Sequence, residues 1–155
     1  MTSENSPCHS ERSEESQFYF SKYLQNKIYK TLFENAEQII INNIAFFPKP
    51  LQIIEQIVKQ KNGNQKFIFV VNDYFSICTS FFLLNNEGKY CNIPEIEVCA
   101  QCLKKNNLDY IVNIERDIEK WRNTWQQFLT DCDEIRVFSE SSFDLIKKAY
   151  PSISN

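Results

Sequence analysis

Apolar side chains recur along the chain with regular periods that predict most of its helices and strands. Between residues 18 and 34 an apolar side chain occupies every fourth position, which predicts a helix. The segment QIIINNI at 38–44 is short and rich in β-branched residues, so it predicts a buried strand. Pro48 and Pro50 interrupt the chain, and one apolar face predicts a helix over 51–61.

A second group of elements follows a turn at Asn62-Gly63-Asn64. The run KFIFVVN at 66–72 predicts a strand buried on both faces, as in a parallel sheet. Residues 74–110 break this rhythm and are expected to form a loop-rich insertion. Beyond it, the pattern predicts a helix from Ile114 to Cys132, a strand over 134–138 and a last helix, Phe143 to Ala149.

The order of these elements is α-β-α-β, an insertion, then α-β-α. Such alternation predicts an α/β fold, with a parallel sheet of only three strands and helices on its faces. Residues 1–16 contain no large apolar residue and are expected to be a disordered tail outside the fold. The folded unit is therefore expected over 17–155, with the cysteine-rich insertion at about 74–110.

Composition argues against several classes of function. The only glycines are Gly63 and Gly88, so the chain cannot contain a glycine-rich phosphate loop. The single histidine, His9, lies in a polar stretch, which argues against a histidine-dependent nucleophile or a His-rich metal site. The net charge of −3 argues against a general nucleic-acid binder.

The expected location of the protein is the cytoplasm. No stretch reaches about 18 uninterrupted apolar residues, so no transmembrane segment is predicted. The N-terminal residues MTSENS lack the basic region and apolar core of a secretory signal. In the cytoplasm disulfides are disfavoured, and clustered cysteines more often bind metal or carry redox chemistry.

Four cysteines fall within the insertion with the spacing C-x12-C-x7-C-x2-C: Cys78, Cys91, Cys99 and Cys102. Four thiolates suit the tetrahedral coordination of Zn²⁺, so a structural zinc that folds the insertion is the preferred interpretation. Free thiols, a redox-active C-x-x-C pair and a disulfide framework are the alternatives. Cys132 lies on the apolar face of the following helix and is interpreted as part of the core.

An ordered set of short motifs surrounds these cysteines. VNDYFSIC at the end of a strand is followed by LLNNEGKYC, by CAQC and by the long segment IEKWRNTWQQFLTDCDEIRVFSESSFDLIKKAYP. Over about residues 36–151 this set resembles the N-terminal, acceptor-side lobe of bacterial GT-B glycosyltransferases. The residues that match the family's motifs are Asp73, Tyr74, Cys78, Tyr90, Cys91, Cys99, Cys102, Trp121, Arg122, Trp125, Ser139, Tyr150 and Pro151.

The resemblance implies a partial Rossmann-like sheet, forming one lobe of an enzyme that transfers sugar from a nucleotide sugar. It assigns no catalytic residue. It places Asn72, Asp73, Tyr74 and Ser139 at the substrate or cleft edge, where open α/β sheets bind ligands.

The chain departs from the family pattern in three ways. Asn72 stands where the family has a histidine that helps to position the donor sugar, and Thr79 replaces a proline. The third departure is that the donor lobe and the first strands with their glycine-rich loop are absent from these 155 residues. We therefore expect a glycosyltransferase fragment that is inactive alone and has a separately encoded donor lobe as its partner. The alternatives are a small zinc-stapled α/β binding module that acts through a protein partner, and a folded remnant without function.

Several motif residues have a structural interpretation beside the functional one. Trp121 and Trp125 either pack on the sheet or form a platform for a sugar. Arg122 is either solvated or ion-paired, or it binds phosphate. Asp73 either belongs to the site or caps a loop, and Ser139 either belongs to the site or caps the last helix.

Overall fold

The structure is a computed structural model that describes residues 31, 33–45, 47, 49–108 and 114–153. The strands are β1 (Gln38–Ile41), β2 (Lys66–Val71) and β3 (Glu134–Val137). The helices that lie wholly within the described residues are α1 (Pro50–Gln60), α2 (Ile96–Lys105), α3 (Ile118–Asp131) and α4 (Glu140–Ala149). The strands form one sheet in the order β1-β2-β3.

Both neighbouring strand pairs of this sheet are parallel. Ile41 of β1 lies opposite Phe69 of β2, and Val71 of β2 lies opposite Val137 of β3. The predicted α/β class with a three-stranded parallel sheet is therefore confirmed. Because the strands are parallel, their carboxyl ends meet at one edge of the sheet and their amino ends at the other.

The core is built on the central strand. Phe67 and Ile68 of β2 are completely buried, as expected for an apolar strand in the middle of a parallel sheet. The ring of Phe69 lies 5.4 Å from that of Trp125 and 5.6 Å from that of Phe128, both on α3. Packing of α3 on β2 thus places a cluster of aromatic rings in the core.

Local sequence accounts for where the helices begin. Pro50 is the first residue of α1, where its missing N–H costs nothing. The Asp117 side chain accepts hydrogen bonds from the backbone N–H groups of Glu119 and Lys120 and caps α3. Ser139 caps α4 by accepting from the N–H of Ser142, so its predicted capping role is confirmed.

Three boundaries differ from the prediction by more than one residue. The strand predicted over 38–44 ends at Ile41, and the helix predicted from Ile114 begins at Ile118, directly after its Asp117 cap. The helix predicted from Phe143 begins at Glu140, because the Ser139 cap precedes that residue.

Residues 74–110, expected to form a loop-rich insertion, also contain the helix α2, for which no element was predicted. The buried face of α2 includes Cys99 and Leu103. The sequence analysis assigned Cys99 to metal binding and did not recognise that these two residues are four apart, as on one face of a helix. The predicted tail at 1–16 and most of the helix predicted at 18–34 lie outside the described residues, although 33–35 are helical.

Candidate functional site

Polar residues follow every strand at the carboxyl ends, and we call this surface the carboxyl edge: Asn42 and Asn43 after β1, Asn72 and Asp73 after β2, and Ser139 after β3. The Asn43 amide donates a hydrogen bond to Asp73 Oδ2 at 2.7 Å. The Asn72 amide donates to Asn42 Oδ1. The side chains after β1 and β2 therefore support one another, and the parallel pairing brings Ser139 to the same edge.

Asp73 has a structural role within this edge. Its Oδ1 accepts a hydrogen bond from the backbone N–H of Phe75 at 2.8 Å, so the carboxyl group caps the loop that follows β2. Burial raises the pKa of Asp73, although the hydrogen bonds from Phe75 and Asn43 act in the opposite direction. A carboxyl group that is partly desolvated at a sheet edge is also a candidate for ligand binding.

A group of hydroxyls joins the loop after β2 to the start of α4. The Tyr74 hydroxyl lies 3.3 Å from Ser142 Oγ. Ser139 Oγ lies 3.0 Å from the hydroxyl oxygens of both Ser141 and Ser142. The carboxyl edge thus presents amides, hydroxyls and one carboxyl group, which are the groups that hydrogen-bond to neutral hydroxylated ligands.

The loop after Asp73 is anchored by three consecutive backbone carbonyl groups, each of which accepts a hydrogen bond from a distant side chain. The donors are Trp121 Nε1 to Phe75 at 2.9 Å, the Tyr150 hydroxyl to Ser76, and Arg122 Nε to Ile77 at 3.2 Å. Trp121 and Tyr150 are 0% and 1% exposed. The loop therefore has a fixed conformation beside the edge.

These contacts decide between the two interpretations of several motif residues. Trp121 and Trp125 are buried and pack in the core, so they offer no open face on which a sugar could stack. Arg122 binds the Ile77 carbonyl and Cys99 Sγ, whereas the sequence analysis considered a solvated or phosphate-binding arginine. The sequence marked both tryptophans and this arginine but gave no sign that Trp121 and Arg122 meet Tyr150 at one loop.

The four cysteines of the predicted metal site line one open pocket of about 560 Å³, which we call the cysteine pocket. They are Cys78, Cys91, Cys99 and Cys102, and all are free thiols. In the part of the chain that the structure describes, no group of three or more His, Cys, Asp or Glu side chains is arranged to hold a metal ion. Zinc binding therefore stays a prediction.

The protonation state of the thiols bears on the redox alternative. Burial raises the pKa of Cys78 to about 12. Burial is also the main reason why the pKa of Cys99 is raised, although the neighbouring Arg122 guanidinium lowers it. Reactive cysteines have lowered pKa values, so the raised pKa of Cys99 argues against a redox-active role for this thiol. Cys132 is 3% exposed, in agreement with its predicted place in the core.

Comparisons with known proteins assign neither the carboxyl edge nor the cysteine pocket. No protein-family model matches the chain, and neither the curated proteins nor the solved structures contain a match. Among the helices of the described residues, none is long and apolar enough to cross a lipid bilayer.

Proposed function

We propose that the chain is part of the acceptor-side lobe of a GT-B glycosyltransferase that uses a nucleotide sugar, with a partial Rossmann-like sheet. The carboxyl edge would form one wall of the cleft between two lobes. The observation that supports this best is the convergence of motif residues on one loop. Trp121, Arg122 and Tyr150 come from two helical regions, and all three hold the segment that directly follows Asp73.

Each residue of the edge has a role in this proposal. Asn72 and Asp73 present an amide and a carboxyl group to the sugar, while Tyr74 and Ser139 add hydroxyls from the other side of the edge. In the resembled family a histidine stands at the place of Asn72. An amide can still donate and accept hydrogen bonds there, but it cannot exchange a proton near neutral pH.

Turnover in this proposal requires a second lobe. In GT-B enzymes the donor phosphates are held by the donor lobe, and stabilisation of the leaving group is lost without it. These 155 residues alone are therefore expected to transfer no sugar, and transfer requires a donor lobe to complete the cleft. A cytoplasmic location and the absence of nucleic-acid binding remain predictions from the sequence.

One observation favours a second candidate function, a binding module that acts through a protein partner. Phe138 lies next to Ser139 at the carboxyl edge and is 76% exposed. Aromatic side chains are enriched at the core of protein–protein interfaces, and Phe138 would supply one in this alternative. In this case Phe138→Ser would abolish binding of the protein partner to the chain, whereas Asp73→Asn would leave that binding intact.

A titration followed by nuclear magnetic resonance tests the first proposal. The ¹⁵N-labelled full chain is mixed with the donor lobe of a GT-B enzyme of the resembled family and titrated with a panel of nucleoside diphosphate sugars, and amide shifts of the chain are recorded. We expect the shifts to concentrate at residues 72–74 and 139–142 and to shrink in an Asp73→Ala variant. Shifts that concentrate at 133–136, at the other edge, would place the ligand elsewhere and contradict the proposal.

A further inference from the structure

The four pocket cysteines come from three separate pieces of chain. Cys78 lies in the turn after β2, and Cys91 follows an isolated bridge between Leu84 and Tyr90. Cys99 and Cys102 lie at positions i and i+3 of α2, on one face of the helix. We propose that these four thiols bind one Zn²⁺ ion, which fastens the loop after β2 to α2. This site is independent of the proposed glycosyltransferase function.

Three of the four sulfurs already accept a hydrogen bond from an N–H group. The donors are Ser80 N–H to Cys78 Sγ at 3.4 Å, Arg122 Nη2 to Cys99 Sγ at 3.5 Å, and Asn106 Nδ2 to Cys102 Sγ at 3.7 Å. Zinc binds the thiolate form, and N–H donors stabilise the negative charge of a thiolate. Outer partners of this kind also orient the ligands of metal sites.

The backbone of the same segment is strained. Leu83, Asn92 and Ile93 have φ values of 55°, 50° and 49°, in the left-handed region. Such a conformation costs a non-glycine residue about 1–2 kcal/mol, and a β-branched residue such as Ile93 is a rare occupant. Strain of this kind persists only where the surroundings enforce it.

Helices and strands contribute little to holding this strained backbone in place. Residues 72–95, all of which are described, contain one isolated bridge and neither a helix nor a strand. The side chains that anchor the start of this segment bind only residues 75–77, and metal coordination would supply folding free energy to the strained part that follows. A zinc ion between Cys78, Cys91 and α2 would link both ends of the strained stretch.

Among the described residues no three of these thiols are already arranged to hold a metal ion, so binding requires their side chains to move closer together. The sulfurs of a zinc tetrahedron lie about 4 Å apart, because each Zn–S bond is about 2.3 Å long. Cys91 and Cys102 are partly exposed, so their side chains can rotate towards the two buried thiols. Each thiol that binds releases its proton to solvent, and affinity should therefore weaken as the pH falls.

The test uses the full chain, purified under reducing conditions and stripped of metal. Zn²⁺ is titrated in competition with a chromophoric chelator, and Co²⁺ serves as a spectroscopic probe of thiolate coordination. We expect one zinc per chain and the absorption of a tetrahedral cobalt-thiolate site. Cys91→Ser and Cys102→Ser should each weaken zinc affinity more than about 100-fold, because losing a mere outer-shell partner costs about 10–100-fold.

Cys8→Ser is the matched control, since Cys8 is not one of the four proposed ligands and its replacement should leave zinc affinity unchanged. Circular dichroism verifies the fold of each variant, and the two partly exposed positions provide alternatives if one variant unfolds. Failure of the reduced wild-type chain to bind one zinc would overturn the proposal. Equal zinc affinities in the Cys8→Ser, Cys91→Ser and Cys102→Ser variants would also overturn it.

Discussion

The two edges of the sheet are formed by the same three strands, yet their chemistry is opposite. At the amino ends, Lys66 pairs with Glu134 at 2.7 Å and Lys61 pairs with Asp133 at 3.1 Å. Hydrogen bonds from Arg136 and Lys66 lower the pKa of Glu134 to about 2. At the carboxyl ends the polar groups are amides, hydroxyls and one carboxyl group, and burial raises the pKa of that carboxyl.

This difference separates a structural edge from a candidate site. Charges at the amino edge are paired with one another and hold neighbouring strands together. The carboxyl edge has fewer full charges, and its loop is fixed from behind by Trp121, Arg122 and Tyr150. A rigid backbone that carries polar groups with spare hydrogen-bonding capacity is suited to binding a ligand.

The largest expected effect tests the anchoring of the carboxyl edge. Tyr150→Phe removes only the hydroxyl that donates to the buried Ser76 carbonyl. Because that acceptor loses its partner, the free energy of unfolding should fall by about 1–3 kcal/mol in urea titrations. Tyr90→Phe is the control, since Tyr90 is 55% exposed and should change stability by less than about 0.5 kcal/mol. Equal effects of the two variants would show that the anchor is unimportant.

A smaller loss is expected at the amino edge. Asp133 Oδ2 accepts from the backbone N–H of Phe67 at 2.7 Å as well as from Lys61. Asp133→Ala should therefore cost about 1–2 kcal/mol, while Asp133→Asn, which keeps an acceptor oxygen, should cost less. Urea midpoints of the two variants measure the difference. An unchanged midpoint for Asp133→Ala would remove this edge from the forces that hold the sheet.

The two edges should also respond to pH with opposite sign. The folded pKa of Glu134, about 2, lies below its ordinary value of 4.5. Its contribution to stability is therefore full above about pH 4.5 and is lost as the pH falls through about 2. Glu134→Gln should therefore reduce the loss of stability at acid pH in urea titrations, and an unchanged loss would contradict this role of Glu134.

Asp73 provides the opposite case. Its folded pKa is raised above the ordinary value of 3.8, so its contribution favours the fold at low pH. That contribution is lost as the pH rises from about 3.8 through the folded pKa. Asp73→Asn should remove this pH dependence while keeping an acceptor for the Phe75 N–H. If the pKa of Asp73 is raised, the free energy of unfolding should fall more steeply with decreasing pH in Asp73→Asn than in wild type. A shallower fall in the variant would show that the pKa is lowered.

The smallest effect on stability is expected at Phe138. Its side chain is 76% exposed, so Phe138→Ser should change the free energy of unfolding by less than about 0.5 kcal/mol. A loss above about 1 kcal/mol would show that Phe138 supports the fold and does not serve contact with another lobe or protein. Thermal unfolding of the wild-type chain and of Phe138→Ser at neutral pH measures this difference in stability.

The sheet could be predicted from the sequence because its signals are local. The apolar run of β2 and the interruptions at Pro50 and Gly63 determine the order of elements, and that order implies parallel strands. Ser139 could be recognised as a cap for the same reason. Helix α2 was missed because Cys99 occupies a position of its apolar face, where a metal ligand was the alternative interpretation.

The site was less predictable because its contacts are not local. The bond from Tyr150 to Ser76 spans 74 residues, and no local pattern specifies such a pairing. The left-handed conformation of Ile93 even contradicts the preference of a β-branched residue. Asp73 was correctly placed at the end of a strand, but its bonds to Asn43 and Phe75 depend on the tertiary path of the chain.

Sugar transfer in a two-lobed context tests the proposed cleft most directly. The chain is combined with the donor lobe of a GT-B enzyme of the resembled family, and transfer from a panel of nucleotide sugars is measured. We predict that Asn72→His raises turnover, and that Asp73→Ala lowers it about tenfold, as expected for about 1.4 kcal/mol of lost transition-state binding. Lys66→Gln, at the amino edge, should leave it unchanged. Unchanged turnover in both carboxyl-edge variants, with a loss in Lys66→Gln, would contradict the account.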